Sequence, residues 1–178
     1  ANLPVHLVPN GGKRIFDSDD INKIVKIFHS LGKKIGAHIE GAENIKMFLD
    51  ANGDVIHHGH GAEPQQYHEI AGKNVPLVAT PHGGTSSPPN SPEEIYQALK
   101  AGVTVAISSD SYLPVHPEAV GMEGIELVGP KDLFKVCKPT FEYLHERGVS
   151  KVDCLKMITT NAAKVMDLDA EIGVISRL

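Results

Sequence analysis

The sequence predicts an α/β fold built on a parallel sheet, and three observations carry that prediction. Short apolar, β-branched runs recur along the chain, helical patterns fall between them, and the runs are apolar enough to be buried on both faces. The runs are LPVHLV (3–8), KIGAHI (34–39), DVIHH (54–58), VPLVAT (75–80) and VTVAIS (103–108). Between them, DDINKIVKIFHSLG sets Ile21, Ile24, Val25 and Phe28 on one helical face and stops at Gly32. SPEEIYQALKAG has Ser91 as N-cap, Pro92 at the first helical position and Glu94 three residues after the cap, with Gly102 as the stop. Strand–helix alternation of this kind requires right-handed crossovers between parallel strands. Beyond residue 110 the rhythm changes to a long loop and helices over about 130–147, 151–158 and 160–166, the first expected to kink or break at Pro139.

Composition bounds the function. With 178 residues, 41% of them hydrophobic and 22% charged, the chain can bury one sizeable core as a single domain. A net charge of −5 without any basic run argues against nucleic acid or an anionic membrane as partner and leaves a small-molecule ligand. Cys137 and Cys154 lie far apart in helical sequence and read as buried, reduced thiols. No apolar segment approaches the roughly 20 residues of a membrane span, and nothing resembles a signal peptide, so a cytoplasmic chain is expected. The chain opens on Ala and enters a strand-like run at once, which suggests a fragment or a processed product.

A parallel α/β sheet places its ligand at the carboxyl ends of the strands. Those positions hold His6 or the NGG after it, His38, the cluster His57, His58 and His60, His82 in ATPHGG, and Asp110 in ISSDSY. Ten histidines put some near strand ends by chance, but five strand ends marked by histidine or aspartate point to one rim. His29, His68 and His145 lie in helical patterns and His116 in a proline-flanked loop; these four read as solvated or structural. Neutral imidazoles with a carboxylate suit a divalent transition metal, zinc first, and a catalytic site keeps one position open for water. The pKa of that water falls from about 15.7 towards about 7. Asp110, the only acidic residue among these positions, is then placed to take and return its proton. A phosphate-binding role for HGGTSS (82–87) fits poorly, because the glycine spacing of phosphate-cradling loops is absent and the composition suits a solvated loop.

The segments GKKIGAHIEG, GDVIHHGHG, VTVAISSDSY and MITTNAAKVMDLDAEIGVI together resemble the C-terminal barrel portion of the amidohydrolase superfamily. Within it the resemblance is to the prolidase-like, imidazolonepropionase-like and enamidase-like branch, over residues 3 to 175. The resemblance implies a partial (β/α)8 barrel, strands four to eight of a TIM barrel plus C-terminal helices, and a metal-dependent hydrolase acting on a C–N bond of a cyclic amide, amide or amidine. It implies that His38 is the fifth-strand metal ligand, His58 the sixth-strand ligand and Asp110 the eighth-strand aspartate that touches metal and moves the proton. His82 and His60 become substrate contacts, His60 with loop hydrogen bonding as its alternative, and His57 a supporting or structural residue. His6 stands near the place of the branch's metal-bridging lysine, where imidazole can ligate but cannot form the carbamate bridge.

The departures are equally specific. No His-x-His precedes residue 38, although the family's first strand supplies two ligands that way, and a full barrel needs about 250 residues. The first strands and the β-sandwich domain of the family are therefore expected to lie outside this chain. Such a piece is expected to be inactive alone, while its parent is an enzyme, and to form a homo-oligomer or associate with the missing half of the barrel through open strand edges. The competing expectation is a non-catalytic α/β domain that binds a ligand or partner at the same rim.

Overall fold

A computed structural model describes residues 16–81, 89–109 and 133–175. The strand expected over 3–8, the loop 82–88 and the segment 110–132 lie outside the described residues, and with them His6, His82, Asp110 and His116. Four strands, β1 (Gly36–Glu40), β2 (Val55–His60), β3 (Leu77–Ala79) and β4 (Val105–Ile107), form one parallel sheet in the order β1-β2-β3-β4. Strands neighbouring in sequence are neighbours in space throughout, with no reversal of order. That is the arrangement of a barrel segment; an open doubly wound sheet reverses at a switch point.

The helices follow in register with the strands. The α1 helix (Ser18–Ser30) starts on a capping box between Asp17 and Asp20 and buries Ile21 and Val25. The α4 helix (Pro92–Lys100) has the expected box, the Ser91 hydroxyl accepting from the Glu94 N–H and the Glu94 carboxylate accepting from the Ser91 N–H. Two further short helices, α2 (Ala42–Asp50) and α3 (Pro64–Gly72), fill the β1–β2 and β2–β3 connections. The α2 helix buries Ile45, Met47, Phe48 and Leu49 and leaves Glu43, Lys46 and Asp50 exposed along one face. The Glu63, Pro64 and Gln66 spacing that starts α3 is a helix signal, and the Gln66 side chain accepts from the Glu63 N–H at 2.9 Å.

Beyond residue 132 come α5 (Leu133–Glu146), α6 (Lys151–Met157) and α7 (Thr160–Val165). Of the kink or break expected at Pro139, the break does not occur: α5 runs through it from Leu133 to Glu146. An interior proline forfeits one hydrogen bond at a cost of about 3 kcal/mol. Here Cys137, Thr140 and Leu144 are buried on either side of it, and that packing outweighs the local penalty.

Alternation along the strands divides the core in two. Ile35, Ala37, Ile39, Ile56, Leu77, Ala79, Val105 and Ile107 join the helices in the main cluster on the outer face. Val55, Val78 and Ala106 form a second, smaller cluster on the inner face, packed against Ala162 and Val165 of α7. The α7 helix is anchored there by Asn161, whose side-chain amide donates to the Val105 carbonyl at 2.8 Å. The amino-end half of the inner face is thus apolar and capped by α7. Both cysteines are free and buried, and burial pushes the Cys137 thiol up to about 11, which leaves it an inert packing residue. Among the described residues no helix is long and apolar enough to cross a membrane.

One tight contact makes the outer core testable. A Cβ on Gly53 would lie 2.1 Å from Cζ of the buried Phe48 ring. Gly53→Ala is expected to lower unfolding free energy by about 1–3 kcal/mol through overpacking, read as a shifted urea midpoint at unchanged slope.

Candidate metal centre

The carboxyl-end half of the inner face is polar, and its chemistry begins with a break in strand geometry. Residues 57 and 58 are consecutive, so a regular strand would send their side chains to opposite faces. His58 instead has φ +66° and Gly59 φ +66°, and the β1–β2 register shifts between Ile39 and Glu40. A left-handed backbone at a non-glycine residue costs about 1–3 kcal/mol and persists only where surroundings enforce it. Its effect is that both imidazoles reach His38. The His57 ring stacks on the His38 ring at 5.3 Å between centroids, and the His58 ring lies 4.9 Å from it, tilted by 38°. Gly36 makes room for the first of these, because a Cβ there would sit 2.9 Å from His57 Nε2.

His38 Nδ1 and His58 Nε2 face each other at 2.7 Å, and His58 is 2% exposed. The other nitrogen of His58, Nδ1, is 2.8 Å from the Thr80 hydroxyl. Behind Thr80 stands Asn90, itself buried. Its Oδ1 accepts from the Thr80 N–H at 2.8 Å and lies 3.4 Å from the Thr80 hydroxyl, while its Nδ2 donates to the His58 carbonyl at 2.8 Å. His60 is held on the far side. Its ring stacks on that of His58 at 6.4 Å, and its Nδ1 lies 3.3 Å from Glu94 Oε1. Burial pushes the Glu94 carboxyl up, but the His60 hydrogen bond and the Ser91 N–H outweigh it and hold the group below the ordinary carboxylate range. The same buried corner raises the Tyr67 hydroxyl to about 12, by desolvation first and by the Glu94 charge second.

The structure therefore brings together His38 and His58, with His57 and His60 flanking them. His60 is tied to Glu94 at the start of α4, which is the hydrogen-bonding alternative for this residue. Of the helical histidines, His29 pairs with Asp54 at 2.9 Å. The residues that sequence reasoning missed are Thr80, Asn90 and the second role of Glu94. Asn90 sits in PPNSP, where composition signals only a turn, and its function depends on a tertiary contact with β2.

These residues fit a metal ion as far as they go. Two imidazole nitrogens already converge, one of them backed by a hydroxyl on its second nitrogen, the outer-shell arrangement typical of metal-binding histidines. Nitrogens sharing a tetrahedral zinc lie about 3.3 Å apart, so the pair, now at 2.7 Å, would have to open by about 0.6 Å. Among the described residues no group of three His, Cys, Asp or Glu side chains is arranged to hold a metal. A cleft of about 570 Å³, lined by His29, Lys33, Lys34, Val55 and Val165 among others, opens at the amino ends of the strands, at the opposite end from His38 and His58.

No family model matches the chain, and no curated protein matches it in sequence. Solved structures do match in fold. A Xaa-Pro dipeptidase with methionine bound in its active site superposes with a TM-score of 0.69 at 17% identity, over 94% of this chain and 42% of that one. A prolidase complexed with N-methylphosphonate-L-proline gives 0.68 at 18% identity, over 94% and 41%. An amidohydrolase from Thermotoga maritima gives 0.55 at 21%, over 89% and 44%. The chain has the fold of part of this dipeptidase, this prolidase and this amidohydrolase, in keeping with the partial α/β barrel expected from sequence. It spans about two fifths of the length of the structures it matches.

Proposed function

We propose that this chain is the C-terminal barrel part of a metal-dependent hydrolase that cleaves a C–N bond in an amide, cyclic amide or amidine. One observation carries the reading. In a fold shared with amidohydrolases, two imidazole nitrogens meet at 2.7 Å at the carboxyl end of adjacent parallel strands. In this reading His38 Nδ1 and His58 Nε2 hold the metal, Asp110 completes its shell, and His6 is a further candidate ligand. A metal held there, zinc or another divalent transition ion, would make a water nucleophilic at neutral pH. The Asp110 carboxylate would serve as the base that takes a proton from the attacking water and as the acid that returns it to the departing nitrogen. His57 stacks behind His38 and restricts its ring. His60, held by Glu94, and His82 are the substrate contacts in this reading. The remaining strands come from chain outside these 178 residues or from a second copy, consistent with the two-fifths coverage of the matching structures.

The test is metal content together with turnover on a panel of amides, lactams and amidines, measured on the full-length parent and on this chain alone. At least one equivalent of metal is expected in the parent, and Asp110→Asn is expected to lower its kcat by about 10²–10⁴-fold. Metal-free protein with turnover unaffected by Asp110→Asn would overturn the reading. Metal bound by this chain without turnover would assign it binding and leave catalysis to the assembled barrel.

A further inference from the structure

The metal reading names His38 and His58 but leaves open what makes His58 a good ligand. A neutral imidazole presents one lone pair, and which nitrogen carries it depends on the hydrogen bond made by the other. The surroundings of His58 supply that choice through two residues outside the ligand set.

Asn90 is oriented without ambiguity. Its Nδ2 donates to the His58 carbonyl and its Oδ1 accepts from the Thr80 N–H, both at 2.8 Å. The position explains itself from the ladder. The Ile56 N–H donates to the Pro76 carbonyl, and two residues further along a regular parallel pair the Thr80 N–H would reach the His58 carbonyl. The left-handed turn at His58 opens that gap, and the Asn90 carboxamide fills it, accepting from one strand and donating to the other. Its backbone N–H also donates to the Thr80 carbonyl at 3.0 Å, closing the ends of the loop between them.

With Oδ1 fixed as an acceptor 3.4 Å from the Thr80 hydroxyl, the hydroxyl proton has a partner there. The opposite arrangement would set two oxygen lone pairs against each other. The Thr80 oxygen then offers its lone pair to His58 Nδ1 at 2.8 Å, so Nδ1 carries the proton. His58 Nε2 is left as a lone pair, aimed at His38 Nδ1.

We propose that Thr80 and Asn90 are positioning residues that lock His58 in the Nδ1–H tautomer, presenting its Nε2 lone pair to a divalent metal shared with His38. In the metal-free protein the His38 Nδ1–H occupies that lone pair; for a cation to take its place, His38 changes tautomer, its one proton passing through solvent from Nδ1 to Nε2, so that both rings stay neutral and each offers one lone pair. The proposal rests on the metal reading above for its purpose, but the tautomer is a property of the empty protein and is measurable without any metal.

The experiment is long-range ¹H–¹⁵N correlation of the imidazoles in metal-free wild type, Thr80→Val and Thr80→Ser, followed by zinc titration of each. Wild type is expected to show a protonated Nδ1 and an unprotonated Nε2 at His58. Thr80→Val, close in shape but without the hydroxyl, is expected to lose that preference and to weaken zinc binding 10- to 100-fold. Thr80→Ser is expected to restore both to within about threefold of wild type on the same outer-shell scale. An Nε2–H tautomer in wild type, or Thr80→Val with unchanged tautomer and affinity, would overturn the proposal. Wild type with the expected tautomer but no zinc binding would overturn the metal reading and leave the lock standing. Unchanged thermal midpoints across the three proteins separate both outcomes from a folding defect.

Discussion

His58→Asn is expected to weaken zinc binding by more than about 100-fold, beyond the 10- to 100-fold typical of losing an outer-shell partner. The choice of asparagine matters. His58 sits at φ +66°, a region that β-branched and bulky residues avoid and that asparagine tolerates unusually well. The substitution removes the imidazole while keeping a side chain compatible with the backbone, so an affinity loss reports the ligand and not a collapsed bulge. His58→Gly, which relaxes the same backbone further, is the matching control and is expected to lose binding equally. His57→Asn alters the ring stacked on His38 but removes no nitrogen facing His58, and a much smaller loss is expected. Calorimetric titration reads all three. Equal affinity in wild type and His58→Asn would mean that the 2.7 Å pair is a structural hydrogen bond only.

Asn90→Ala is expected to be the most destabilising single substitution near the site, by about 2–5 kcal/mol. The side chain is 2% exposed, and its removal strands the Thr80 N–H and the His58 carbonyl without their partners, each loss costing about 1–3 kcal/mol. Asn90→Asp preserves the acceptor for Thr80 but sets a carboxylate against a carbonyl, so only partial recovery is expected. Urea unfolding measures the difference. A change below about 1 kcal/mol would show that β2 and β3 close the ladder directly once the carboxamide is gone.

Much of the fold was legible in the sequence because it is written locally. The runs at 34–39, 54–58, 75–80 and 103–108 are apolar over the length of a strand, and β1 to β4 lie within them or extend them by one or two residues. The Ser91–Glu94 box is a short-range hydrogen-bond pattern and needs no tertiary help. The short helices α2 and α3 were harder to read because each has only nine residues, little more than two turns over which a period can repeat, although α2 carries an exposed polar face of Glu43, Lys46 and Asp50. The break expected at Pro139 is absent because packing of Cys137, Thr140 and Leu144 overrides a real local penalty.

The site divides along the same line. That His38 and the 57–60 cluster end adjacent parallel strands follows from position alone, and the structure brings His38 and His58 into contact. Which of two consecutive histidines turns inward could not be read from alternation, because the left-handed backbone at His58 abolishes it and lets both do so. Thr80 and Asn90 carry no sequence signal for their part, since the gap they fill exists only once β2 has bulged away from β3.

The central claim is that the imidazoles of His38 and His58 bind one metal ion together. It is tested most directly by the zinc K-edge X-ray absorption spectrum of protein loaded with a single equivalent. The account predicts multiple-scattering features of at least two imidazoles, reduced by one in His38→Asn and in His58→Asn. A shell of oxygen ligands only, or a wild-type spectrum unchanged in either variant, would contradict it.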